Sequence, residues 1–390
     1  MIRVAILGST GSIGKSALSV IARHPDRFRV VALAANRRAD ELAAQVARHG
    51  PDRAALCDES ARLPESAGAT RWSHGREALL EIASDPGIDV VLNALVGAAG
   101  LEPTLHALRA GHRLALANKE SLVAGGELVL EAAREGGAEI VPIDSEHSAI
   151  LQCLEGHDAD SVQRVVLTAS GGPFRGRNAE DLWLVGPGEA LRHPTWDMGA
   201  KITIDSATLA NKALEVIEAH HLYGLGYDSI DAVVHPQSVI HSFVEFIDGS
   251  VLAQLGFPTM ELPILYALNY PDRVDDAELR TYDAVRSSPL TFEEIDHASF
   301  PMFGLGVEAG RRGGCAPAAY NAGNEIAVRA FLKEGIRLPE IANVVEETME
   351  RVGSDAIRDL DDVTEADGAA RSVADEVASR LAGARTGSTS

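Results

Sequence analysis

Val4-Ala5-Ile6-Leu7-Gly8-Ser9-Thr10-Gly11-Ser12-Ile13-Gly14 decides the fold of this chain. Four apolar residues read as a buried strand, three glycines at even spacing make a turn, and residues 15–22 continue with helical spacing and propensity. Glycine permits positive φ and lets backbone N–H groups approach a pyrophosphate at the positive end of the helix that follows. The spacing is Gly-x-x-Gly-x-x-Gly rather than the more familiar Gly-x-Gly-x-x-Gly, so taken alone it also suits a glycine-rich turn with no ligand.

Context favours a dinucleotide. A second apolar strand, 29–34, follows the turn and ends Ala35-Asn36-Arg37-Arg38. No acid stands there to bond a ribose 2′-hydroxyl, and two cations are available for a 2′-phosphate, which points to NADP rather than NAD. The bland alternative leaves Arg37 and Arg38 solvated, with Asp40 starting a helix over 41–46. Strands at 90–94, 113–117 and 138–143 alternate with helices at 100–110 and from about 125. That alternation predicts a Rossmann-like, doubly wound α/β domain with a parallel sheet. Ligands in such a sheet sit beyond the carboxyl ends of the strands, where Asn93, Asn118, Lys119, Glu120 and Asp144 fall.

Asp144-Ser145-Glu146, answered downstream by Asn211-Lys212 and Glu215, offers three carboxylates and an ammonium to one potential site. In an extended segment Asp144 and Glu146 project to the same side, while Asn211 and Glu215 share a helix face. At an effective dielectric of about 20, two carboxylates about 4 Å apart repel by about 4 kcal/mol, so gathering three calls for a divalent cation with oxygen ligands. Lys212 with Glu215 also suits a plain ion pair on a helix. A hydrolase triad from Asp144, Ser145 and His147 is disfavoured, because neighbours in sequence rarely attain relay geometry.

Between these acids lies a strand over 162–167 ending at Ser170-Gly171-Gly172, then a stretch at 186–199 containing His193-Pro194-Thr195-Trp196-Asp197-Met198. Pro187 and Pro194 break helices there, so the stretch reads as a mobile lid or as an ordinary surface loop. Residues 201–204 lead into a helix capped by Asp205 or Ser206, with Ser206, Asn211 and Lys212 in its first turns, a favourable place for a phosphate. Residues 230–255 read as antiparallel strands turned at Asp248-Gly249, whose edge or face could pair two subunits. His235 and His241 read as structural, and His220 and His221, adjacent on a helix, cannot share a ligand. After Leu290 the chain is mainly helical, over 302–311, 317–332, 339–351 and 369–381, with a frayed tail from 383 to 390.

The three domains expected are 1–144, a dinucleotide-binding domain; 145–285, a central α+β catalytic domain with its own sheet; and 286–390, a linker and C-terminal helical domain. A chain of 390 residues can bury a core in each. The net charge of −22 disfavours nucleic acid. The cysteines at Cys57, Cys153 and Cys315 fit neither a disulfide framework nor a zinc site, as in a reduced, cytoplasmic protein. The chain opens directly on its first strand, leaving no room for a signal peptide, and no segment approaches the about 20 apolar residues of a membrane span.

Taken together, these motifs closely resemble the 1-deoxy-D-xylulose 5-phosphate reductoisomerase family through almost the whole chain. The resemblance rests on Gly8 to Gly14, Ala117-Asn118-Lys119-Glu120-Ser121, Pro142-Ile143-Asp144-Ser145-Glu146-His147-Ser148, Ser170-Gly171-Gly172-Pro173-Phe174, 193–199, 205–215 and His235-Pro236-Gln237-Ser238. It implies a homodimeric enzyme of the non-mevalonate isoprenoid route that uses NADPH and Mg²⁺ or Mn²⁺. The substrate would be 1-deoxy-D-xylulose 5-phosphate and the product 2-C-methyl-D-erythritol 4-phosphate, reached by carbon–carbon cleavage and rejoining followed by hydride transfer. By the same resemblance Asp144, Glu146 and Glu215 hold the metal, and Lys119 and Ser145 contact the reacting portion. Ser170, Ser206, Asn211 and Lys212 grip the phosphate, and His193 and Trp196 come down with the lid. Thr10, Gly11, Ser12, Ile13, Ala35, Asn36, Arg37, Asn118, Glu120 and Gly199 line the cofactor. Ala200 stands where the family often carries a basic residue, and Asn36-Arg37 where it often carries Gly-Lys.

Overall fold

The computed structural model describes residues 1–63, 68–196 and 198–387. Asp197, read above as part of the lid, and 388–390, read as tail, lie outside the described residues. The chain divides into two compact units. One comprises Met1–Leu122, Gly126–Ser148 and Thr259–Arg280; the other comprises Val123–Gly125, Ala149–Pro258 and Thr281–Ser390.

The N-terminal elements are β1 Ile2–Leu7, α1 Ser12–Arg23, β2 Phe28–Ala35, α2 Ala39–His49, β3 Arg53–Leu56, β4 Arg71–His74, α3 Arg76–Ala83, β5 Val90–Asn93, α4 Leu101–Arg109, β6 Arg113–Leu116, α5 Lys119–Gly136 and β7 Ile140–Pro142. Their seven strands form one sheet in the order β4-β3-β2-β1-β5-β6-β7, and every pair is parallel. The order runs outward from β1 in both directions, which is the doubly wound arrangement expected, with its switch point between β1 and β5. β1, β2 and β5 are buried along most of their length, which is why they read as unbroken apolar runs rather than alternating ones. β4 is a half-exposed edge strand, Arg-Trp-Ser-His, and carries no apolar run for a sequence reader to find.

The chain continues with α6 Ser145–Leu154, β8 Val162–Ala169, α7 Ala179–Leu182, α8 Pro187–Ala190, α9 Ala200–Thr208, α10 Ala210–Tyr223, β9 Ile230–Val234, β10 Ile240–Phe246, β11 Val251–Leu255, α11 Glu261–Asn269, α12 Pro301–Arg312, α13 Ala316–Leu332, α14 Glu340–Val352 and α15 Leu360–Gly387. α11 belongs to the first unit, where it packs on α1; nearby, Arg23 Nε donates to Asp276 at 2.9 Å. The second sheet has the order β11-β10-β8-β9. β10 and β11 make the expected hairpin around Asp248-Gly249. β9, expected to be antiparallel, instead pairs parallel with β8. A parallel pair needs a long crossover, and the helices α7 to α10 supply it.

Four local expectations are corrected. Ser145 opens a helix, so Asp144 and Glu146 stand at a helix start and not on an extended segment. Pro187, read as a breaker, occupies the first turn of α8, where its missing N–H costs nothing. Asp205 and Ser206 cap nothing: they lie inside α9, and the break falls at Leu209, with φ 61°, before α10 begins. α15 continues through the segment expected to fray, as far as Gly387, since Ala382 and Ala384 favour helix. The four expected C-terminal helices are present as α12 to α15, and their apolar faces join the second unit's main core.

Candidate active site

The glycine turn is shaped by backbone contact. Gly8 has φ +87°, and a Cβ there would lie 2.5 Å from the Ala94 carbonyl oxygen; one at Gly14 would lie 2.5 Å from the Gly8 oxygen. Only hydrogen fits at either position. The Gly8 and Ser9 amides both donate to the Ala34 oxygen at 2.9 Å, tying the turn to β2. Gly11 caps α1, with Thr10 buried and Ser12 exposed beside it. Ala35 ends β2 in the core, whereas Asn36, Arg37 and Arg38 are exposed. Arg37 is ion-paired with Asp58, and Arg38 Nη1 donates to the Thr10 oxygen at 2.9 Å. Two braces here have no local signature in the sequence: Asp58, and Gln45, whose amide accepts from Ser9 Oγ at 2.7 Å and donates to the Ser9 oxygen at 2.9 Å.

At the carboxyl ends of β5 and β6, Asn93 donates to the Gly100 oxygen at 2.9 Å and to Thr104 Oγ1 at 2.8 Å. Asn118 caps α5 by accepting from the Ser121 amide at 3.0 Å, and its own amide donates to the Leu95 and Gly97 oxygens and to Glu120 Oε2. Both asparagines thereby hold the loop that follows β5 against the sheet. Lys119 and Glu120, in the first turn of α5, are buried.

Lys119 Nζ pairs with Asp144 Oδ2 at 2.6 Å. Burial by itself would push the Asp144 carboxyl up, but the Lys119 ammonium beside it, together with His147 and the hydrogen bond with Glu146, outweighs that and holds it well below the usual carboxylate range. Ser145 Oγ donates to Glu146 Oε2, and the Glu146 amide donates to Asp144 Oδ1 at 3.4 Å. The first unit therefore brings Lys119, Asp144, Ser145 and Glu146 together.

Within the second unit, Asn211 Nδ2 and Lys212 Nζ both donate to the Glu215 carboxylate, across four and three residues of α10. Lys212 and Glu215 are only 4% and 2% exposed at the side chain, so this is no solvated surface pair. His193 Nε2 lies 3.0 Å from Ser170 Oγ and 3.1 Å from Ser206 Oγ. Its Nδ1 accepts from the Thr195 and Trp196 amides at 3.1 and 2.9 Å. With Nδ1 accepting, the proton of the neutral ring belongs on Nε2, aimed at the serine hydroxyls. Burial lowers the His193 pKa, which favours that neutral ring. Gly172, with φ +65°, lets its loop approach α9, because a Cβ would meet the Ser206 oxygen at 2.6 Å. Trp196 is half-buried and Gly199 caps α9 from an exposed position. The second unit thus gathers Ser170, His193 and Ser206 from three segments into a donor-rich group, an arrangement suited to an anion.

Models of known families match three stretches of the chain. Residues 4–126 match 1-deoxy-D-xylulose 5-phosphate reductoisomerase, residues 140–223 that enzyme's C-terminal domain, and residues 255–373 the DXP reductoisomerase C-terminal domain. The 1-deoxy-D-xylulose 5-phosphate reductoisomerase of Burkholderia mallei (strain SAVP1) is 49% identical over 380 residues, covering 95% of this chain and 95% of its own. That of Burkholderia pseudomallei (strain K96243) has the same identity and coverage, 49% and 95% of each chain. The Zymomonas mobilis enzyme, solved in complex with NADPH, superposes with a TM-score of 0.91 at 42% identity over 97% of this chain and 99% of that one. A reductoisomerase solved with NADPH, fosmidomycin and magnesium superposes with a TM-score of 0.90 at 41% identity over 97% and 98%. Among the described residues, no helix is long and apolar enough to cross a membrane.

Proposed function

The chain belongs to the 1-deoxy-D-xylulose 5-phosphate reductoisomerase family, and from that premise we propose how its residues divide the work. It is an NADPH- and metal-dependent oxidoreductase that converts 1-deoxy-D-xylulose 5-phosphate into 2-C-methyl-D-erythritol 4-phosphate, a step of isoprenoid precursor biosynthesis. When bound, a divalent ion polarises the substrate's carbonyl and adjoining hydroxyl, and NADPH supplies the hydride.

Asp144, Glu146 and Glu215 would hold the ion, each offering a carboxylate oxygen. An all-oxygen donor set without thiol or imidazole suits Mg²⁺ or Mn²⁺. Lys119, fixed on Asp144, would present its ammonium to the reacting oxygens, and Ser145 would donate to them. Ser170, His193, Ser206, Asn211 and Lys212 would take the phosphate, with Trp196 covering the carbon chain. Thr10 to Ile13, Ala35, Asn36, Arg37, Asn118, Glu120 and Gly199 would line the cofactor, the glycine turn receiving its pyrophosphate. In functional terms the chain reads as a cofactor domain over 1–144, a catalytic domain over 145–285 with its lid at 186–200, and a helical domain over 286–390. Three cysteines outside any disulfide among the described residues suit a cytoplasmic protein, the charge of −22 disfavours nucleic acid, and the edge position of β11 in the second sheet suits a homodimer.

One observation carries the substrate assignment: His193 Nε2 sits 3.0 and 3.1 Å from two serine hydroxyls, a donor group that an unphosphorylated substrate would not need. The test is NADPH oxidation by the purified protein with 1-deoxy-D-xylulose 5-phosphate and Mn²⁺. Turnover that requires both sugar phosphate and metal is expected, and no NADPH consumption would overturn the reading. Glu215→Gln should lose most turnover while NADPH still binds; unchanged turnover would remove Glu215 from the metal site.

A further inference from the structure

Asp205 precedes Ser206 on α9 and is 1% exposed. A carboxylate is seldom buried so deeply unless its oxygens are fully engaged. Here Oδ1 accepts from Asn324 Nδ2 at 2.8 Å, and Oδ2 pairs with Lys201 Nζ one turn earlier at 2.7 Å. Asn324 is itself fully buried in the middle of α13, and among the described residues its carbonyl oxygen has no hydrogen-bond partner. The hydrogen bond that its side chain makes is therefore the one to Asp205. One turn before it, Tyr320, also fully buried, donates its hydroxyl to the Met302 oxygen at 2.9 Å and so ties α13 to α12.

The geometry constrains rotation. Successive residues on a helix are about 100° apart, so the face that Asp205 turns toward α13 fixes the direction in which Ser206 points. That direction is toward His193 Nε2, 3.1 Å away. An apolar residue at 205 would fill the same space but would supply no directional bond across to α13, since dispersion contacts are not directional. We propose that Asp205 and Asn324 are positioning residues that lock the rotation of α9 and so hold Ser206 and His193 in place for the substrate phosphate. The proposal rests on the assignment of Ser206 and His193 to that phosphate.

Asn324→Leu removes the donor at nearly constant volume, and Asn324→Ala serves if the leucine variant does not fold. Asp205→Asn keeps an acceptor for Asn324. The readouts on the full-length enzyme are the Michaelis constants for sugar phosphate and for NADPH, kcat, and the melting temperature. Asn324→Leu is expected to raise the Michaelis constant for the sugar phosphate about tenfold, equivalent to about 1.4 kcal/mol, with that for NADPH unchanged. Asp205→Asn should stay within about twofold of the parent in both constants, because the hydrogen bond survives. A folded Asn324 variant whose only change is a lower melting temperature would reduce the pair to a stability role and overturn the proposal. Ser206→Ala is the control: if it leaves the sugar-phosphate constant unchanged, the underlying phosphate assignment fails instead.

Discussion

Lys212 and Glu215 show how burial changes the meaning of a common helical pair. Exposed, an i,i+3 pair contributes a few tenths of a kcal/mol at most; here both side chains are almost wholly covered. Removing Lys212 takes one charge-assisted hydrogen bond from buried Glu215, which keeps that from Asn211, at a cost of about 1.5–3 kcal/mol. Lys212→Ala is therefore expected to lower the melting temperature and also to raise the Michaelis constant for the sugar phosphate at least about tenfold, leaving that for NADPH alone. A variant that melts early but binds substrate normally would make the pair purely structural. His221 gives a second residue-scale prediction. Burial, with His220 alongside, pushes its pKa down to about 4. The unfolded chain, with an ordinary value near 6.5, takes up the proton first as pH falls. The contribution of neutral His221 is then complete above about 6.5 and lost on acidification toward about 4, on the order of 3 kcal/mol in total. The melting temperature should fall across that window, and His221→Gln should flatten the fall; identical pH profiles would refute the assignment.

At the scale of elements, the turn between β1 and α1 is fixed by contacts that no side chain can enter. A Cβ at Gly14 would meet the Gly8 oxygen and the Ser9 Cα, each at 2.5 Å, and both are backbone atoms that cannot swing aside. Gly14→Ala should weaken NADPH binding at least about tenfold and destabilise the first unit by about 1–3 kcal/mol. Calorimetric titration with NADPH checks the first and denaturant unfolding the second; normal affinity would mean that the turn does not carry the pyrophosphate. The break at Leu209 is a different kind of feature. It separates α9 from α10, so that Ser206 lies in the last turn of one helix while Asn211, Lys212 and Glu215 ride on the next. A leucine at φ 61° carries no glycine signal, which is why the sequence reads as one helix capped at Asp205 or Ser206.

For the molecule as a whole, β11 is the edge of the second sheet, and Val251 and Leu252 on it are 53% and 41% exposed, with Ile247 nearby at 68%. An uncovered apolar edge strand invites another chain, and a second copy is the partner proposed above. Sedimentation should find the parent protein dimeric and Leu252→Glu shifted toward monomer. A monomeric parent, or a dimer indifferent to the substitution, would place the contact elsewhere.

What the sequence determined by itself is whatever repeats within a single element. The apolar run before Gly8, the glycine spacing, the strand–helix alternation to Ile143 and the 3.6-residue stripes of α12 to α14 are all local patterns, and local patterns survive in one dimension. Several family motifs in order then identified the chemistry. Tertiary structure decided what depends on residues far apart. It turned β9 parallel through the crossover of α7 to α10, brought His193 to Ser170 and Ser206, and set Asp205 against Asn324 across 119 residues of chain. No local pattern encodes those meetings, because closing a long loop costs entropy that only the packed core recovers, and the partner chosen is the one the core places within reach.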